Sequence, residues 1–107
     1  MNPEIINRIV ELSSPESIIL FGSQAQGTQN DNSDIDLLVL IDGIVNKRQM
    51  AQHLYKELMP FKAAIDLIIE TPDNYLRYKD EKSFIYYQIN KTGITIYEKN
   101  GKRISLD

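Results

Sequence analysis

The chain has 107 residues, a formal net charge of −3 and no cysteine, which leaves room for one core and excludes a disulfide framework, a thiolate metal site and a cysteine nucleophile. No apolar stretch approaches the ~20 residues that cross a bilayer, and the N-terminus shows no basic segment leading into an apolar run, so a cytoplasmic protein without membrane association is expected. The weakly acidic balance disfavours direct nucleic-acid binding, since the basic residues are scattered apart from Lys99, Lys102 and Arg103. A phosphate-bearing small molecule arriving with Mg²⁺ remains compatible.

Asn2-Pro3 is a helix start, a capping side chain followed by a proline whose missing N–H costs nothing at the first helical position. Ile5, Ile6, Ile9, Val10 and Leu12 follow at helical spacing, predicting a helix to about residue 12 that Ser13-Ser14-Pro15 ends. Ser17 to Phe21 reads as a short buried strand ending at Gly22. The segment 22–33 contains no large apolar residue and reads as a loop with one helical turn around Ala25.

Ile35 to Ile41 is the clearest strand. Met50, Ala51, Leu54, Tyr55 and Leu58 mark an amphipathic helix over about 47–59, closed by Pro60. Ala63 to Ile69 makes a third strand, and Thr71-Pro72 opens another capped helix. A further helix over about 81–91 carries Phe84, Ile85, Tyr87, Gln88 and Ile89, and Ile94 to Glu98 is a last strand. Asn100-Gly101 offers a hairpin turn that would return 103–106. The expected fold is α/β (α+β), a small mixed sheet of three to four strands flanked by helices in one domain over 1–107.

The chemistry concentrates in two segments. Side chains two apart on a strand share a face, so Asp34 and Asp36 project together while Ile35, Leu37, Val39 and Ile41 fill the other face. Like charges about 4 Å apart repel by roughly 1–4 kcal/mol, and a cation or shared proton relieves them. Hard oxygen donors without histidine or cysteine nearby point to Mg²⁺ or Mn²⁺; the alternative is a turn aspartate beside a solvated one. Asp66 lies in an apolar run expected to be buried on both sides, where an unpaired carboxylate is costly. A strand neighbouring 35–41 would bring it beside Asp34 and Asp36, three carboxylates able to hold two ions. An edge-strand aspartate facing solvent is the other reading. Gly22 lets the backbone approach a phosphate, and the Ser23 hydroxyl can donate to one.

Gly22-Ser23, ten intervening residues and then Asp34-x-Asp36 resembles the signature of the polymerase-β-like nucleotidyltransferases. Phe21, Ala25, Gly27, Ser33 and Leu37 make it similar to the minimal nucleotidyltransferase branch, whose members pair with HEPN-type toxins. The resemblance implies the nucleotidyltransferase fold and a metal-dependent transfer of AMP from ATP to a hydroxyl, here a tyrosine of a cognate HEPN toxin, by an antitoxin. It assigns Asp34, Asp36 and Asp66 to the metals, two Mg²⁺ ions expected, and Asp66 also to the acceptor hydroxyl. Gly22 and Ser23 would hold the β and γ phosphates.

The chain departs from the family at Gln24 and Gln26, where many members carry arginine. Glutamine brings no charge, so Lys47, Arg48 or a partner's residue would have to compensate. The alternative function is a catalytically weak nucleotide-binding module that neutralises its partner by direct binding, alone or within a homo- or hetero-oligomer. The tyrosines around 75–89 are a candidate partner face, and the only histidine, His53, reads as a surface residue.

Overall fold

A computed structural model describes residues 1–27 and 34–100. The first helix, α1 (Pro3–Ser13), starts as its sequence dictates, with the Glu4 N–H donating to Asn2 Oδ1 at 2.9 Å. It ends where Ser14 turns left-handed, φ 46°, and its N–H donates to the Val10 carbonyl. Strand β1 (Ser17–Phe21) leads into a single turn, α2 (Ser23–Gln26), and the chain re-emerges as β2 (Ile35–Leu40).

Helix α3 (Lys47–Leu58) carries the chain over to β3 (Ile65–Glu70). Parallel strands need such a crossover, and β2 and β3 are parallel. Helices α4 (Pro72–Tyr78) and α5 (Ile85–Thr92) then precede β4 (Ile94–Glu98). The four-stranded sheet has the order β3-β2-β1-β4, with β1 antiparallel to both β2 and β4. The mixed sheet flanked by helices is the expected architecture.

The strands' two-residue period divides the core. Ile35, Leu37, Val39 and Ile41 turn to one face and pack with Ile5, Ile6 and Ile9 of α1 and Leu54 and Leu58 of α3. Arg8 of α1 pairs with Glu57 of α3 on this side. Leu38 and Leu40 turn the other way and pack with Ile19, Tyr75 of α4 and Ile89 of α5. Burial on both faces explains why β1 and β2 read as continuous apolar runs.

Helix α3 ends at Leu58 ahead of Pro60, as expected, and a 3₁₀ turn, Met59–Phe61, leads to the bend that Lys62 makes at φ 54°. Two other boundaries differ from expectation. The fifth helix starts at Ile85 rather than near 81, because Phe84 has an extended backbone, φ −105° and ψ 146°, with its ring stacked on Tyr78, centroids 4.4 Å apart. The third strand starts at Ile65 and extends through Glu70. The hairpin expected over 103–106 lies outside the described residues. No described helix is long and apolar enough to cross a membrane.

Candidate active site

Asp34 stands immediately before β2 and is exposed, and Asp36 is half-buried as the second residue of that strand. Asp36, Leu38 and Leu40 alternate onto the face that α4 and α5 cover, as do Asp66, Ile68 and Glu70 on β3. The helices close over Leu38, Leu40 and Ile68. The N-terminal ends of β2 and β3, which carry the aspartates, are left accessible.

The parallel register sets Asp66 directly beside Asp36. Burial raises the Asp36 pKa above the ordinary carboxylate value, the charges of Asp66 and then Asp34 raise it further, and a hydrogen bond with Asp66 adds to the shift. Asp36 thus feels the charge of both other aspartates.

One expectation is corrected here. Asp66 is exposed, not buried on both sides, because β3 is the last strand of the sheet and only the Ile65, Leu67 and Ile69 side packs on the main core. Burial does not force a partner on Asp66; the register supplies one. Among the described residues, moreover, no three ligating side chains are gathered closely enough to form a ready cation site. The closed contact is the pair Asp36–Asp66, with Asp34 adding its charge. This all-oxygen, mutually repelling set suits a hard divalent cation, which would supply the missing countercharge.

Gly22 lies against this pair, since Phe21 is the register partner of Asp36. It adopts φ 75°, and a Cβ there would collide with Asp36 Oδ2. The glycine that sequence reasoning assigned to phosphate approach thus also makes room for a carboxylate. Its carbonyl accepts from the Ala25 and Gln26 N–H groups, each at 3.2 Å, which winds α2 and places Ser23 at the first position of the turn. Gln24 is half-buried and Gln26 exposed.

Lys47 does not compensate for these glutamines. Its ammonium is held 3.1 Å from Glu70 Oε2, at the opposite end of β3. Four residues along a strand correspond to about 13 Å.

Glu70 is the residue that sequence reasoning missed. It is 4% exposed yet fully engaged: Oε1 accepts from Tyr86 Oη at 2.6 Å and Asn74 Nδ2 at 2.9 Å, and Oε2 from Lys47 Nζ and the Thr71 N–H. Burial alone would raise its pKa, but these hydrogen bonds outweigh it and bring the value down to about 2. Burial, and then the bond to Glu70 and its charge, push the Tyr86 hydroxyl pKa upward. The available signal was an acid closing an apolar run just before the Thr71-Pro72 cap. His53 is exposed on α3, as expected.

A mixed four-stranded sheet with helices on both faces and acids clustered at the head of a parallel pair is the nucleotidyltransferase architecture. A sequence profile of the polymerase beta nucleotidyltransferase family matches residues 4–102, and the chain belongs to that family. Among solved structures, a toxin–antitoxin crystallised with AMP-PNP superposes with a TM-score of 0.65 at 25% identity, covering 92% of this chain and 74% of that one. A variant of the toxin–antitoxin MntA–HpeT gives 0.60 at 26% identity, covering 92% and 73%. A Sulfolobus solfataricus protein described as a candidate nucleotidyltransferase gives 0.65 at 20% identity, covering 96% and 82%, and shows the fold alone. No curated protein matches the chain.

Proposed function

We propose that this chain works as a single domain in the cytoplasm, as the antitoxin of a toxin–antitoxin pair. It moves AMP from ATP onto a hydroxyl, a tyrosine of a HEPN-type toxin. The observation that carries this reading is the in-register contact of Asp36 with Asp66, with Asp34 adding charge and Gly22 packed against Asp36. AMP-PNP, an ATP analogue, in the toxin–antitoxin relative supports the nucleotide class.

Asp34, Asp36 and Asp66 would hold Mg²⁺, whose chemistry is to offset charge on the phosphoryl oxygens during transfer. Gly22 and Ser23 would seat the β and γ phosphates. The acceptor oxygen attacks the α-phosphorus, the bond to the bridging β-oxygen breaks, and pyrophosphate leaves with the electron pair. Asp66, exposed beside Asp36, would orient the acceptor hydroxyl and receive its proton. The protein's part is alignment, which is the main contribution available to it in phosphoryl transfer.

Labelled ATP, Mg²⁺ and a purified HEPN-type toxin test the reading. Label should move to the toxin and should not move with Asp36→Asn; transfer surviving that change removes the mechanism. A second reading, neutralisation by binding alone, draws on the uncharged Gln24 and Gln26 and on the capture of Lys47 by Glu70. It requires the Asp34→Asn, Asp36→Asn double variant to protect against the toxin as well as wild type does.

A further inference from the structure

We propose that the outer edge of β3 is the docking site for an extended peptide segment of the protein acceptor, which pairs there as an additional strand and sets its hydroxyl-bearing side chain over Asp66. This rests on the transfer reading and names the form in which the acceptor arrives. Across the sheet the order is Gly22-Ser23 at the end of β1, Asp36 on β2, Asp66 on β3, and then an edge with which no described strand pairs. Helices α4 and α5 cover the other end of this face. An acceptor therefore has access to Asp66 from the β3 side.

The edge is built to receive backbone. The Ala64 and Glu70 carbonyls accept from Ile35 and Ile41 of the neighbouring strand, each at 2.8 Å. Peptide groups of a parallel strand alternate in direction, so Ile65, Leu67 and Ile69 present theirs outward. The Leu67 N–H donates to the Tyr55 hydroxyl at 2.7 Å. A side chain 40% exposed thus occupies the place of a strand carbonyl and can swing away.

The opposite face of the same edge carries a groove of about 260 Å³ lined by Tyr55, Lys56, Leu58, Met59, Ala63 and Ile65. A strand sends alternate side chains to opposite faces, so one row would reach Asp66 while the other fills this groove, where Met59 is 72% exposed. Lys56 in the groove and Lys62 in the turn before β3 are exposed and form no ion pair among the described residues. Their charge favours acidic flanks on the segment. The outer side of β4 offers no equivalent, lying two strands from Asp36, roughly 10 Å away.

The probe is a displayed library of peptides of about twelve residues with a fixed central tyrosine, the binders then being resynthesised and added to the whole chain. Amide exchange at Leu67 and Ile69 should slow by about tenfold at saturation. Tyr55→Phe should tighten binding about threefold, by removing the competing hydroxyl, and Met59→Lys should weaken it about tenfold. Binding and exchange are read without ATP or metal, so a failure of catalysis leaves this readout untouched. Recovery of no binder, or protection at Leu76, Phe84 and Ile85 in place of the β3 amides, overturns the proposal.

Discussion

The two ends of the β2–β3 pair hold acid in opposite circumstances. At the N-terminal end Asp36 and Asp66 abut, and burial together with like charge makes ionisation of Asp36 harder. At the C-terminal end Glu70 is more deeply buried, yet Tyr86, Asn74, Lys47 and Thr71 surround it with donors and it ionises more readily than in water. The paired strands β2 and β3 carry the two outcomes on one face. Burial of a carboxylate therefore decides nothing by itself. The donors that converge on Glu70 fasten α3, α4 and α5 to the sheet, whereas Asp36 faces the like charge of Asp66 and Asp34.

The largest expected effect separates the two ends by sign. Asp36→Asn should lower transfer by at least about 10³-fold, since the ions account for several kcal/mol of transition-state stabilisation. The same change should raise the thermal stability of the metal-free protein, by up to about 1 kcal/mol, because it removes a repulsion. A fall in metal-free Tm would show that the aspartate end is structural after all. Glu70→Gln should do the reverse, costing roughly 2–4 kcal/mol in denaturant unfolding because it strands charge-assisted hydrogen bonds. Metal binding at the far end, followed by calorimetry, should change little.

Gly22→Ala sharpens the contrast further. Gly22 sits at φ 75°, ψ −156°, a region that costs a residue with a side chain about 1–3 kcal/mol, and an alanine Cβ would displace the Asp36 carboxylate. Transfer and Mn²⁺ affinity should both fall by about tenfold. A variant that keeps its Mn²⁺ affinity would show that Gly22 serves the phosphates alone.

Acid titration gives the smallest effect. Glu70, depressed from 4.5 to about 2, contributes stability that is complete above its unfolded value and disappears as pH falls toward about 2. Asp36, raised above 3.8, contributes in the other sense, most at low pH and lost as pH rises through its folded value. As pH drops from about 4.5 to about 2, the wild type's advantage over Glu70→Gln should shrink because the wild type loses stability, while its deficit against Asp36→Asn should shrink because the wild type gains it. Parallel curves would mean the two ends are electrostatically alike.

Much of the molecule was legible because it is written locally. Strand β1, strand β4, the one-turn helix after Gly22 and the caps at Asn2 and Thr71 each follow from a few adjacent residues. The spacing from Gly22-Ser23 to Asp34-x-Asp36 likewise sits in one stretch. Helix ends were less legible where a side chain answered to something distant, as Phe84 answers to Tyr78.

The sequence by itself determined which residues alternate, which faces are apolar and which acids share a strand face, because backbone geometry imposes those periods wherever the chain is extended or helical. Only the tertiary structure decided that β3 lies at the edge, that its register sets Asp66 beside Asp36, and that Tyr86 and Lys47 meet at Glu70. Those facts depend on where the α3 crossover returns the chain and how the helices settle on the sheet. Such choices are settled by contacts between residues far apart in the chain, which local periodicity does not encode.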